Sequence, residues 1–175
     1  VELSKKLVNW PNTTEKTNKL LISLHLSKME LYLKLVNTEH LDETELSNRR
    51  NVINTLKQYR RNNDFPTRND GTPGQRLPRF LGSNGTPCAM GYILQKTGGM
   101  GLYNEISTHS NDTYVEDIEN KEYNNWLDKN GMTKEETAAI QPSYWSPPDT
   151  TYNTMVNPYY LWGITIAISS LILLF

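Results

Sequence analysis

The sequence predicts a mainly α protein: a small helical soluble domain with a turn-rich central segment and a C-terminal transmembrane helix. Three observations carry this reading. Apolar residues recur at helical spacing from Leu20 to Tyr59. Proline, glycine and asparagine crowd residues 65–87. Residues 161–175 hold no formal charge. The implied division is a helical domain over 1–142, an extended tether over 143–158 and a transmembrane anchor over 159–175.

Residues 14–36 contain neither Pro nor Gly, and Leu20, Leu24, Leu31 and Leu35 recur there with Leu21 and Tyr32 beside them. That is a helix. Asn37 and Thr38 loosen it. Asp42 followed by Glu45 forms a capping-box pattern that opens a second helix carrying Leu46, Val52, Ile53, Leu56 and Tyr59. Two consecutive helices with a short join predict an antiparallel hairpin. Turn signals then follow one another: Phe65-Pro66, Asn69-Asp70-Gly71, Pro73-Gly74 and Asn84-Gly85-Thr86-Pro87. Among them, Leu77-Pro78-Arg79-Phe80-Leu81 reads as a short extended piece, with Asn84-Gly85 as the turn of a small hairpin whose second strand is hard to find.

Thr86-Pro87 is expected to cap a helix that runs to about Thr97 and stops at Gly98-Gly99. Small residues Ala89 and Gly91 allow another element close to its backbone. A short helix is expected near 102–107, and another near 123–130, anchored by Trp126 and Leu127 and ended by Gly131. Thr133 with Glu136 is a second capping box, opening a helix over Lys134–Ile140 that Pro142 ends.

From Tyr159 to the last residue, a helix would be about 25 Å long against about 30 Å of bilayer hydrocarbon. Tyr159, Tyr160 and Trp162 fall where an interfacial aromatic girdle would begin. Gly163, Ala167 and Ser170 are compact enough for a neighbouring helix to approach closely. The rival reading buries this helix inside a larger assembly. Residues 146–160 carry one charge, Asp149, and no Lys or Arg, which favours a periplasmic or other extracytoplasmic domain. A chain that starts at Val1 is expected to have lost its beginning, with signal-peptide removal as one explanation.

A net charge of −1 argues against a general nucleic-acid binder. Residues 1–66 hold eleven Lys/Arg against eight Asp/Glu, whereas 101–149 hold three against ten. Cys88 is the sole cysteine. At a helix start its thiolate would be favoured, yet a thiol enzyme needs a base nearby, and His25, His40 and His109 stand in no companion motif. A buried structural cysteine is the competing reading. One Cys and three scattered His make no metal pattern, and no cofactor is expected. Gly98-Gly99-Met100-Gly101 lacks the setting of a phosphate loop. Arg68, Arg76 and Arg79 suggest either a clasp onto Glu116, Asp117 and Glu119 or a pocket for an anion.

Residues 79–94, with their Gly85-Thr86-Pro87-Cys88-Ala89-Met90-Gly91-Tyr92 segment, resemble a family of uncharacterised bacterial secreted or envelope proteins. Tyr114-Val115-Glu116-Asp117-Ile118, Trp126-Leu127, Gly131-Met132-Thr133 and Ala138-Ala139-Ile140-Gln141-Pro142-Ser143-Tyr144 extend the likeness over residues 42–144. The resemblance implies export and brings no activity, cofactor or partner. Taken together, the sequence leads to a non-catalytic accessory subunit of a bacterial membrane complex, with integral membrane subunits and the lipid bilayer as partners. The alternatives are a tethered envelope module that binds a ligand, and a thiol enzyme using Cys88.

Overall fold

The computed structural model describes residues 15–68 and 76–145. Helix α1 spans Glu15–Leu35 and α2 spans Glu43–Asn62. The Asp42 capping box forms at the start of α2: the Glu45 amide donates to Asp42 Oδ1, and the Asp42 amide donates to Glu45 Oε2, each at 2.8 Å. Two backbone donors that the first helical turn leaves over are thereby satisfied. Asn63 ends α2 in the left-handed region at φ 52°. The two helices pack together through Ile22, Leu26, Met29 and Leu33 on α1 and Val52, Ile53, Leu56 and Tyr59 on α2, all buried. Arg60 Nε reaches back to Glu30 Oε1 at 2.5 Å.

The central segment does close a hairpin, and its second strand is the stretch expected to begin a helix. Leu81 bridges Pro87, Gly82 N donates to Thr86 O at 2.9 Å, and Cys88 N donates to Phe80 O at 2.8 Å. Gly85 takes φ 76° at the turn. Pairing holds the backbone extended through Cys88, so α3 spans Ala89–Lys96 and Cys88, not Thr86, is its cap. Asn111 fastens the hairpin from outside, giving and taking main-chain hydrogen bonds with Leu81.

Gly98 (φ 88°) lets Gly99 N return to Leu94 O, which closes α3 in a Schellman turn. Helix α4 follows over Met100–His109, then a 3₁₀ turn over Val115–Asp117, α5 over Lys121–Lys129 and α6 over Lys134–Ile140. Gly131 (φ 55°) ends α5 in the same way, with Met132 N on Leu127 O. Strand β1, Arg76–Leu77, pairs antiparallel with β2, Tyr144–Trp145, so a two-residue ladder is added to an otherwise helical fold. Tyr59, Phe80, Cys88, Met90, Ile93, Tyr123, Ile140 and Tyr144 are buried in the core where these elements meet.

The expected C-terminal transmembrane helix requires correction. Among the described residues no helix is long and apolar enough to cross a membrane. Helix α1, at 21 residues, has the length but carries Glu15, Lys16, Lys19, Lys28, Glu30 and Lys34. Charges in that number are too costly in hydrocarbon. Residues 159–175, including Tyr159, Tyr160, Trp162, Gly163, Ala167 and Ser170, lie outside the described residues. The fold class is therefore a small helical domain. A single-pass membrane protein with an extracytoplasmic domain, working as an accessory subunit among integral membrane partners and lipid, has no structural basis among the described residues.

Candidate functional site

Cys88 sits at the N-cap of α3, where its Sγ accepts from Gly91 N at 3.2 Å. The side chain is fully buried. Burial pushes its pKa up to about 12, against the opposing pull of the Gly91, Met90 and Cys88 amides. Among the described residues its ionisable neighbours are tyrosines, Tyr59, Tyr103 and Tyr144. The Tyr59 hydroxyl donates to Pro87 O at 3.0 Å, and burial raises the pKa of both Tyr59 and Tyr144 well above its usual value. A protonated thiol without solvent access is a poor nucleophile. The geometry gives Cys88 a capping and packing role.

Two arginines of the central segment, Arg68 and Arg79, converge. Arg68 Nη1 and Arg79 Nη1 each lie 3.2 Å from Asp112 Oδ1, a carboxylate outside the acidic set anticipated from sequence. Arg68, buried in spite of its charge, also donates to Pro78 O at 3.1 Å, and Arg79 Nε donates to Leu81 O at 3.1 Å. The three segments around residues 68, 79 and 112 are tied together. Donors spent on main-chain carbonyls are not offered to a ligand, so the geometry favours a clasp over an anion pocket. Arg76 contributes its backbone to β1, and its side chain lies outside the described residues.

Beside this clasp, Pro78, Tyr114, Glu116, Gln141 and Ser143 line a cleft of about 10 Å³, room for about one water molecule. Among the described residues no cluster of three or more His, Cys, Asp or Glu is placed to hold a metal ion. His25 is buried on α1 and its pKa is pushed down by burial, while the Ile140 and Ala139 backbone contacts push it up.

The feature with reach beyond the domain is the outer face of α1. Leu20, Leu24, Leu31 and Leu35 are 58%, 48%, 59% and 75% exposed. At 3.6 residues per turn they fall within an arc of about 60°. Ile22, Leu26, Met29 and Leu33 occupy the opposite side and are buried. The helix thus has two apolar rows, one used by the core and one facing outward. Between Leu24 and Leu31 the outer row has a gap, flanked by Ser27 on one border and Lys28 on the other, both exposed. Lys16 and Lys34, also exposed, lie along one border. Isolated surface leucines are ordinary, but four aligned on one helix form a patch of the kind that interactions use.

The periodicity that reveals α1 in the sequence is that of the outer row, which apolar spacing alone does not distinguish from a core face. The available signal was the second, tighter set at 22, 26, 29 and 33, stepping by four, three and four. Comparison with known proteins finds no matching family model, no matching curated protein and no matching solved structure.

Proposed function

We propose that this chain is an interaction module whose α1 receives a helix of another protein along its outer face. One observation carries the reading: the row Leu20, Leu24, Leu31 and Leu35 stands exposed on a helix whose other face is already committed to the core. An amphipathic helix can lay its own apolar face against such a row, whose leucines step by four, seven and four residues. Removing this apolar surface from water supplies the driving force, at about 25 cal/mol per Å² before the costs of association. The side chains of the interior fit the same reading, since Cys88 is buried and Arg68 and Arg79 are engaged in joining loops.

Site-specific photo-cross-linking in the native cell tests it. A photoreactive residue at position 31 should give a discrete protein adduct that the same residue at Ser47, exposed on α2, does not give. The purified partner should then bind the 175-residue chain saturably, and Leu24→Asp with Leu31→Asp should abolish binding while leaving the helical circular dichroism unchanged. Equal binding by the double variant would end the proposal.

A further inference from the structure

Resting on that interaction reading, we infer that the helix received by α1 has an apolar row bordered by Asp or Glu, carries a carboxylate opposite Lys28, and belongs to a different protein and not to a second copy of this chain. The argument is one of charge. On α1 itself the exposed ionic side chains bordering the outer row are Lys16, Lys28 and Lys34. The two carboxylates of α1 are already engaged: Glu15 pairs with Lys19 at 3.0 Å, and Glu30 is buried against Arg60. The face therefore presents leucines and ammonium groups, with no acidic side chain of α1 left to balance them.

Self-association fits this face badly. A parallel pair would set Lys16, Lys28 and Lys34 each against its own copy. An antiparallel pair that matched Leu20 to Leu35 and Leu24 to Leu31 would bring Lys28 to the centre, beside the Ser27 and Lys28 of the other copy. Covering an ammonium group with leucines costs free energy unless an opposite charge meets it. A carboxylate at the middle of the incoming helix supplies that charge. Set beside the apolar seam, it also favours one partner and orientation, as charged flanking positions do in coiled coils. Lys28 is thus the residue that selects among apolar helices, while the leucines supply contact area.

The test uses two fluorescent synthetic peptides as long as α1, with identical leucine rows at steps of four, seven and four. One carries Glu at every border and central position, the other Lys. Anisotropy titrations with the 175-residue chain should show the Glu peptide binding at least about tenfold more tightly, with the difference shrinking as salt is raised. Lys28→Glu should reduce or reverse the preference, and Leu24→Asp with Leu31→Asp should weaken both peptides. Equal affinity for the two peptides overturns the charge inference and leaves the interaction reading standing. Failure of both peptides to bind overturns the interaction reading and the inference with it. Three further outcomes would each assign the face to another occupant and overturn the inference. One is a dimer in sedimentation that Leu24→Asp disperses. Another is leucine-dependent binding to phosphatidylcholine/phosphatidylserine vesicles. The third is cross-linking of position 31 to residues 159–175 of the same chain.

Discussion

Arg49 on α2 and Glu136 on α6 form a two-pronged ion pair inside the protein, with Nη1 to Oε2 at 2.8 Å and Nη2 to Oε1 at 2.5 Å. Their side chains are only 5% and 4% exposed. Arg49 Nη1 also donates to Gly131 O at 2.6 Å, and Nη2 to Leu33 O at 3.2 Å. Glu136 meanwhile accepts from Thr133 N at 3.0 Å as part of the second capping box. One guanidinium thus joins the end of α1, the turn after α5 and the start of α6.

Removing one member strands the other charge in the interior. Arg49→Met should cost about 3–5 kcal/mol in urea unfolding. Arg49→Met with Glu136→Gln should cost less than the sum of the two single changes by about 1–3 kcal/mol. Additive single and double variants would show that the pair is not coupled.

His25 makes stability depend on pH with a definite sign. Its folded-state pKa lies below 6.5, chiefly because the ring is buried. Below that pH the unfolded chain takes up a proton that the folded chain resists. The contribution is complete above pH 6.5 and is lost as pH falls from there towards the folded value. His25→Gln should flatten the slope of urea midpoint against pH over about pH 7 to 5. An unchanged slope would assign the dependence to other groups.

The Cys88 thiol should resist alkylation by iodoacetamide in the native protein and react once urea unfolds it, since it is fully buried with a pKa pushed up to about 12. Cys88→Ala deletes the acceptor for Gly91 N and should cost about 1–2 kcal/mol of stability. Ready alkylation without denaturant would contradict the packing around α3.

Two glycines should respond oppositely to alanine. A Cβ at Gly82 would lie 2.5 Å from Asn84 Oδ1 and 2.7 Å from Pro66 Cα, so Gly82→Ala should cost about 1–3 kcal/mol. At Gly101, within α4, a Cβ meets nothing within 4 Å. Gly101→Ala should raise stability by about 0.4–1 kcal/mol through lost freedom of the unfolded chain. Thermal melts of both variants check the pair.

What could be read in the sequence was what neighbours along the chain decide. The Asp42–Glu45 and Thr133–Glu136 boxes form because each closes within one helical turn. Gly98 and Gly131 stop their helices because the left-handed region favours a residue without a side chain. Distant partners were not legible. Nothing local joins Arg49 to Glu136 or draws Arg68 and Arg79 to Asp112. The start of α3 was misplaced because hydrogen bonding to Phe80, eight residues earlier, outweighed the local preference at Thr86-Pro87. Helix α1 was legible as a helix but not in its rotation, since an apolar row lies on either side. The apolar composition of 161–175 dominated the functional expectation, yet it bears on none of the described helices.

The short ladder between β1 and β2 bears on how this domain is made. Leu77 pairs with Tyr144, whose fully buried ring fills the core near the end of the described residues. During synthesis the helical hairpin can assemble early, but the interior stays open until that tyrosine has emerged. Completion of the domain therefore waits on a pairing between distant residues, Leu77 and Tyr144. A translation product ending before Tyr144 would expose its unfinished interior to proteases and to aggregation.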